Sequence, residues 1–405
     1  MEILLCLFCD IRVSPTPTSD YYAGLYVKEN IMYTVFSNIS PIGERIIFSA
    51  LSRDNGRTWP TRFLVSPPTG NAFYPDADAG RGDTIFVVAK DDSYNGFFYY
   101  VVVGTRYAYF VSVDVYTWYR NLMFPRISVD ENTGNKFIAG ELNSRIRVIF
   151  EENNQVSFVD LEGITCYTPE IVKGDGYSLV GYRVGTNKIT LAKSSFAVSS
   201  WSYSNIEDTE ISFFDLYYDS GRVGIVYNRG NKLLFTCYEE GIFGTPVEVV
   251  EDNNITNAQI AMWGDSIFIA YIKNSDVYLF TSEDKEHFNG PFKISDTSTV
   301  IDSLYSFDVI SMGGTAFVCW LDDRNDSTDI YGDVVDVNGI QLKEEKNILP
   351  KFITKFISLD NIDFSFYRDM EKIVTLDGRD VTKIERKGIY FVFSNDQVLK
   401  LIVWR

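Results

Sequence analysis

Short hydrophobic runs rich in Val, Ile, Phe and Tyr alternate with polar or glycine-containing turns along the whole chain. Turn residues bound these runs, which are too short for most helices, and helical periodicity is scarce. One type of run recurs at intervals of roughly 40 to 50 residues, the period of four-stranded propeller blades. Its copies begin at Ile31, Thr84, Lys136, Tyr177, Arg222, Ser266, Thr315 and Ile389. The pattern therefore predicts an all-β chain folded as a β-propeller.

The recurring runs also predict the number of blades and how the propeller closes. Eight runs predict eight four-stranded blades in one domain, residues 1–405. The interval between Thr315 and Ile389 is long, and the segment around 345–385 fits the period poorly, so seven blades with an irregular insert remain an alternative. We expect the N-terminal strand at 3–8 to pair with the C-terminal strand at 398–404, because this pairing would cover both sheet edges.

Residues 52–59 read Ser-Arg-Asp-Asn-Gly-Arg-Thr-Trp and form the most specific motif of the chain. Asp54 can accept hydrogen bonds from its own turn, and Gly56 can adopt a positive φ without steric cost. Ser52 and Thr58 can close the turn on either side, and Trp59 offers a large apolar group to a neighbouring sheet. The residues predict a tight hairpin connection, which we call the octet.

The octet resembles the Asp box of the sialidase-type β-propellers, matching its pattern S-x-D-x-G-x-T-W at every fixed position. In that family the box joins the third and fourth strands of a blade, on the face opposite the ligand site. Partial copies are present at 282–288 and 112–118, and the segment Trp320-Leu-Asp322-Asp323-Arg324 resembles another recurrent piece of such propellers. The resemblance therefore implies a sialidase-like propeller.

The charge of the chain excludes several classes of partner. There are 55 acidic and 37 basic residues, a net charge of -18, which argues against nucleic acid or an anionic membrane surface as a partner. No apolar run approaches the ~18 residues of a membrane span. The five cysteines are scattered, and we expect Cys6 and Cys9 to be buried free thiols despite their C-x-x-C spacing.

A propeller of this type would gather the ends of its second strands on the ligand face. The resemblance implies an arginine clamp for a substrate carboxylate, an Asp acid/base and a Tyr–Glu nucleophile pair. The ligand-binding candidates are Arg183, Arg229, Arg324 and Asp322, and the catalytic candidates are Asp91, Glu141 and Tyr182, with Tyr305 as a second choice of phenol. The early Arg-Ile-Pro motif of the family is missing, which favours a protein without catalysis.

No cofactor is expected, except that a structural Ca²⁺ is possible. Asp76, Asp78 and Asp83 supply spaced oxygen ligands, although the full calcium loop is missing and an Asp-Gly-rich turn explains them equally well. His287 is the single histidine of the chain, which excludes sites built from several histidines.

We therefore predict a non-catalytic sialidase-like propeller that binds a glycan or protein receptor. Relatives of this type are mostly secreted or surface proteins, yet no signal peptide is visible, so a virion-associated attachment protein fits both observations and a cytoplasmic location stays open. Other virion or surface proteins are further candidate partners. The alternatives are a sialidase-type glycoside hydrolase and a purely architectural repeat protein.

Overall fold

The computed structural model contains strands throughout the part of the chain that it describes. This part comprises residues 10–14, 19–28, 30–40, 43–66, 71–79, 84–92, 96–103, 107–109, 122–152, 155–161, 165–195, 200–301, 305–324, 327–338, 351–358, 372–375, 380–381, 388–394 and 397–404. The chain forms two compact units, residues 1–342 and 343–405. The described part contains no helix with the length and hydropathy needed to cross a membrane.

The first unit starts with a short strand, β1 (Ile11–Arg12), and then builds six blades, each from one continuous stretch of chain. Neighbouring strands in these blades are antiparallel. The strands of the six blades are β2 (Asp20–Lys28), β3 (Ile31–Ile39), β4 (Arg45–Ser52) and β5 (Thr61–Leu64); β6 (Ala72–Ala79), β7 (Thr84–Asp91), β8 (Gly96–Val103) and β9 (Tyr107–Tyr109); β10 (Met123–Val129), β11 (Lys136–Leu142), β12 (Arg145–Glu152) and β13 (Gln155–Asp160); β14 (Cys166–Gly174), β15 (Tyr177–Val184), β16 (Lys188–Ser195) and β17 (Ser202–Glu207); β18 (Phe214–Asp219), β19 (Arg222–Arg229), β20 (Lys232–Glu239), β21 (Ile242–Phe243) and β22 (Val247–Glu251); and β23 (Ile255–Trp263), β24 (Ser266–Lys273), β25 (Asp276–Ser282) and β26 (Asn289–Lys293).

A composite sheet completes the circle of blades. It contains β27 (Phe307–Met312), β28 (Thr315–Asp322) and β29 (Asp329–Asp336), and β1 adds to its outer edge. Ile11 pairs with Gly332 and Arg12 with Tyr331. The first strands contact one another in the order β2, β6, β10, β14, β18, β23 and β27, and β27 contacts β2 again. The two ends of the first unit therefore meet in one sheet.

The second unit has a sheet of a different type. Its strands are β30 (Lys351–Ser358), β31 (Lys372–Thr375), β32 (Asp380–Val381), β33 (Gly388–Ser394) and β34 (Gln397–Trp404). They lie in the order β30-β34-β33-β31-β32, and β30 pairs with β34 in parallel. A blade is an antiparallel meander of consecutive strands, so this sheet is not a blade.

The all-β propeller fold is confirmed, but the predicted eight blades are wrong. The run at Ile389 lies in β33 of the second unit, because alternating hydrophobicity identifies a strand without identifying its partners. The alternative of seven blades with an insert is also wrong as stated, since six blades of the described part are continuous in sequence and the C-terminal strands form their own sheet. Closure differs too, because β34 pairs with β30 and β33, while β1 pairs with β29. Residues 3–8 lie outside the described part.

Apolar side chains fill the spaces between adjacent blades. Second strands such as β24 read as nearly continuous hydrophobic runs because both faces of a blade are covered. Phe317 and Met32 belong to one such cluster, between the composite sheet and the first blade. Cys166 and Cys319 are buried free thiols, whereas Cys6 and Cys9 lie outside the described residues.

The octet connects β4 to β5, the third and fourth strands of its blade, as the resemblance implies. The carboxylate of Asp54 accepts hydrogen bonds from the Thr58 N–H at 2.9 Å and the Thr58 hydroxyl at 2.6 Å. Ser52 Oγ donates to Asp54 at 2.7 Å and accepts from the Gly56 N–H at 2.9 Å. The indole ring of Trp59 lies 5.2 Å from the ring of Phe317 in the composite sheet. The octet thus closes a turn and packs one sheet onto the next.

The segment 282–288 repeats this turn between β25 and β26. Ser282 Oγ accepts from the Lys285 N–H, and the Asp284 carboxylate accepts from the backbone N–H of His287. The hydrogen bonds that Asp284 accepts from the backbone and the ring of His287 lower its pKa. The third partial copy, at 112–118, lies outside the described residues.

Candidate ligand site in the central channel

The first strands of the sheets surround a channel with a cavity of about 290 Å³. Three of these strands begin with the same arrangement, a bulky or β-branched residue, a proline and a charged residue. These three segments are Tyr74-Pro75-Asp76, Phe124-Pro125-Arg126 and Thr168-Pro169-Glu170. Asp215 and Asp308 line the same channel from β18 and β27. The lining therefore brings four carboxylates and one guanidinium together from five different sheets.

Three of these carboxylates also tie neighbouring sheets together. Each accepts a hydrogen bond from a backbone N–H of the next first strand. The three bonds join Leu25 N to Asp308 at 2.6 Å, Ile127 N to Asp76 at 2.8 Å and Ile260 N to Asp215 at 2.8 Å. A backbone donor thus orients each charged side chain at the lining of the channel.

The guanidinium of Arg126 is already occupied. Its Nε lies 2.9 Å from Glu170 Oε2, and its plane lies 3.8 Å from the ring of Tyr305. Asp76, Asp215 and Asp308 form no ion pair of their own within the described part of the chain. Negative charge in this part of the channel is therefore poorly balanced.

Burial dominates the electrostatics of these carboxylates. It raises the pKa of Asp76 to about 6 and that of Asp308 to about 7, while the charge of Arg126 opposes both shifts. Burial also raises the pKa of Asp215 well above its usual range, and the nearby charge of Glu170 adds to this shift. Removing a carboxylate from water without a countercharge favours its protonated form.

Further along the channel, Lys173 forms a second charged group. Its Nζ lies 2.7 Å from Glu131 and 3.6 Å from Asp78. Asp78 accepts a hydrogen bond from the Val129 N–H at 2.7 Å, and burial raises its pKa to about 6.

Aromatic rings from four sheets meet where the first strands begin, and we call Tyr22, Tyr74, Phe124 and Tyr305 the aromatic cap. The ring of Tyr74 lies 4.5 Å from that of Tyr22, 4.6 Å from that of Phe124 and 6.4 Å from that of Tyr305. Tyr305 is buried and lines the channel, whereas the other three rings are partly exposed. The cap therefore combines accessible aromatic surface with a charged cavity.

The backbone of the aromatic cap is unusual. All four residues have a positive φ, between 50° and 62°, and so does Thr168 at the same place in β14. Bulky side chains rarely adopt this conformation because Cβ crowds the backbone, at a cost of about 1 kcal/mol or more per residue. In β2, β6, β10 and β14, the residue with the positive φ lies within a shift of the β-pairing register. Such a bulge inserts an extra residue into one strand and bends it locally.

The three arginines of the predicted clamp each bind different partners. Arg324 lies 2.6 Å from Asp10 and 2.5 Å from Asp322, so it anchors the start of the chain to the composite sheet. Arg229 is exposed and lies 3.5 Å from Asp208. Arg183 donates to the Ile211 carbonyl at 3.0 Å. None of the three arginines lines the described channel.

The remaining predicted site residues have different surroundings. Tyr182 is fully buried in an apolar cluster with Phe137. Glu141 pairs in register with Met123 and has a raised pKa because it is partly buried, although the charge of Arg183 opposes the shift. Asp91 ends β7, and its side chain is outside the described part. The structure therefore brings Glu141 and Arg183 near each other, at the same end of the blades as the aromatic cap.

The calcium candidates Asp76 and Asp78 act as hydrogen-bond acceptors between β6 and β10, and Asp83 lies outside the described residues. Within the described part, no group of three or more His, Cys, Asp or Glu side chains has the arrangement of a metal site.

Sequence reasoning missed most of the channel residues, because it placed the chemistry at the ends of second strands. The available signal was the charged residue directly after proline in the first strands, at Asp76, Arg126 and Glu170. Tyr305 was considered as a phenol, but nothing in the sequence pairs it with Arg126.

No protein family model and no curated protein matches this chain. Among solved structures, the chain is similar to the polysaccharide lyase Uly1, with 10% identity over 80% of this chain and 91% of that chain and a TM-score of 0.50. The NanB sialidase of Streptococcus pneumoniae has 10% identity over 81% and 70% of the two chains, with a TM-score of 0.46. The Aleuria aurantia lectin has 12% identity over 67% and 96%, with a TM-score of 0.45. At 10% identity, the similarity to Uly1 shows a shared fold alone.

Proposed function

We propose that this protein is a non-catalytic propeller that binds a carbohydrate at the aromatic cap. The observation that carries the proposal is the convergence of four aromatic residues, each with a positive φ, over one charged channel. Aromatic faces bury the apolar faces of a sugar, and polar groups behind them orient its hydroxyls. The polysaccharide lyase Uly1 shares this fold, which supports a carbohydrate-related role.

Backbone strain supports a binding role for the cap. A fold that needed only apolar packing could use residues with an ordinary φ, whereas residues held in unfavourable conformations concentrate at functional sites. The guanidinium of Arg45 lies 4.7 Å from the ring of Tyr21 and 4.4 Å from that of Phe73, so further rings beside the cap are held in place. The cap is therefore a preorganised surface, which lowers the entropic cost of binding.

The proposal is tested by glycan-array screening of the purified protein, followed by calorimetric titration of the best ligand. Replacing Tyr74 by Ala removes the ring that contacts the other three, and we expect affinity to fall about tenfold. Trp263→Ala is the matched control, because this exposed ring ends β23 and lies outside the cap. If circular dichroism shows that both proteins are folded, equal affinity of Tyr74→Ala and the parent would contradict the proposal.

The second candidate is a sialidase-type hydrolase, and one arrangement favours it. Tyr305 lies beside Arg126, which binds Glu170, so a phenol, a carboxylate and an arginine are close together. Burial, however, raises the pKa of Tyr305 well above its usual range and keeps the phenol protonated. We therefore expect no hydrolysis of a fluorogenic sialoside between about pH 4 and about pH 8. Turnover that is lost in Tyr305→Phe would establish the enzyme, and loss in Arg229→Ala would support the arginine clamp.

The biological setting that we propose is attachment of a virion or cell surface to a glycan-bearing receptor. This role stays a prediction from the sequence. Antibody labelling of intact particles or cells tests it, because an attachment protein must be accessible from outside. Label that appears only after lysis would contradict it.

A further inference from the structure

The charge of the channel restricts which carbohydrate it can accept. Five carboxyl groups, those of Asp76, Asp78, Glu170, Asp215 and Asp308, line the channel together with two cations, Arg126 and Lys173. The guanidinium of Arg126 already pairs with Glu170 and stacks on Tyr305. Because burial raises the pKa of Asp76 and Asp308, a sugar carboxylate would add a like charge beside them, whereas a cation would favour their ionised form.

An unpaired hydroxyl marks the position of a missing partner. Tyr305 is only 7% exposed, and its Oη has no hydrogen-bond partner among the described residues. The charges of Arg126, Glu170 and Asp76 all act on this hydroxyl. A buried hydroxyl without a partner is unfavourable, so a ligand that pairs with it gains affinity.

We propose that the channel accepts the ammonium group of an amino sugar bound at the aromatic cap. This inference rests on the proposed carbohydrate-binding function and specifies its ligand class. An ammonium group has three donors and no acceptor, which matches carboxylate oxygens and the lone pairs of Tyr305 Oη. The faces of the tyrosine rings attract a cation as well. Neutral and acidic sugars lack this match.

The test compares cationic, neutral and acidic sugars with a cation that is not a sugar. Calorimetric titration at about pH 7 would use the glucosamine trimer, the N-acetylglucosamine trimer, N-acetylneuraminic acid and spermidine; a sugar amine remains largely protonated near this pH. We expect the glucosamine trimer to bind at least about tenfold more tightly than each of the other three, since a hydrogen-bonded charge contributes about 1.5–3 kcal/mol.

Three variants locate the ammonium group. Tyr305→Phe removes the unpaired hydroxyl and Asp308→Asn removes one charge at constant shape, and each is expected to weaken binding of the glucosamine trimer about tenfold. Asp219→Asn is the matched control. Asp219 also accepts a hydrogen bond from the neighbouring blade, from the Gly264 N–H in the turn after β23 at 2.7 Å, but it does not line the channel.

The outcomes separate this inference from the proposed function. Preferred binding of the N-acetylated trimer or of N-acetylneuraminic acid would overturn the ammonium assignment and leave carbohydrate binding in place. Spermidine binding as tightly as the glucosamine trimer would overturn the amino-sugar assignment, whereas failure of every sugar to bind would overturn the carbohydrate function as well. Equal loss of affinity in Asp219→Asn and Asp308→Asn would show that blade contacts, rather than channel charge, control binding, and would also overturn the inference.

Discussion

Gly56 shows how a single residue of the octet joins two sheets. Its φ is +87°, and a Cβ at this position would lie 2.4 Å from Cδ2 of Phe317 in the composite sheet. Glycine is therefore required twice, once by the backbone and once by the neighbouring ring. Gly176, in the turn between β14 and β15, has a φ of +74° but open space around it.

This pair of glycines separates the two requirements experimentally. We expect Gly176→Ala to lower the free energy of unfolding by about 1 kcal/mol, because only backbone strain is added. Gly56→Ala should lower it by about 2–4 kcal/mol, because the methyl group also displaces Phe317. Urea unfolding of both variants measures the difference. An equal loss of unfolding free energy in the two variants would show that the close approach to Phe317 does not affect stability.

At the scale of the element, β1 is held mainly by charged side chains. A strand of two residues makes few backbone hydrogen bonds, but Arg324 joins Asp10 to Asp322, and its guanidinium lies 4.1 Å from the ring of Tyr331. The side chains of Asp10 and Asp322 are completely buried. Burial raises the pKa of Asp10 to about 6 even though Arg324 lowers it.

Removing Arg324 should release β1 from the composite sheet. Arg324→Ala leaves two buried carboxylates without a countercharge, and we expect a loss of about 3–5 kcal/mol. Arg147→Ala is the control, because its pair with Asp160 is more exposed and contributes about 1 kcal/mol or less. Hydrogen exchange of the Ile330 amide, which donates to Ser14 Oγ, reports the release directly. An unchanged exchange rate in Arg324→Ala would contradict this role.

At the scale of the whole molecule, the buried carboxylates link stability to pH. Asp10, Asp76 and Asp78 have pKa values raised to about 6, and that of Asp308 is raised to about 7. An unfolded Asp titrates near about 3.9, so the folded protein binds more protons between about pH 4 and about pH 7. These four groups therefore stabilise the fold most at acidic pH, and their contribution falls as the pH rises through these values.

Thermal unfolding between about pH 4.5 and about pH 8 tests this dependence, and we expect the Tm to fall with rising pH. Asp308→Asn should flatten the fall, because Asp308 has the largest pKa shift of these four groups and each pKa unit corresponds to about 1.4 kcal/mol. The groups that act on Asp308 are the N–H of Leu25, the N–H of Val309, and the charges of Arg126, Asp76 and Asp215. A Tm that rises toward pH 8 would contradict the assignment of these pKa values.

The sequence predicted the local features well and the long-range ones poorly. The octet was predictable because Ser52, Asp54 and Gly56 determine one turn within a few residues. The channel was not, because Asp76 and Asp308 come together only when the circle of blades closes. The blade count failed at Ile389, where a strand pattern belongs to a different kind of sheet. The pairing of β1 had no periodic signal, since two residues are too few to show one.

The composite sheet can form only late in synthesis, because β1 pairs with β29 near the other end of the first unit. Arg12 and its partner Asp329 are 317 residues apart, so at about 5–20 residues per second β1 leaves the ribosome roughly 15 to 60 s before β29 does. Throughout this interval the first blade lacks the neighbour that covers Met32 and Phe36. A nascent chain that stalls before β29 therefore exposes an apolar blade face to other chains and to chaperones.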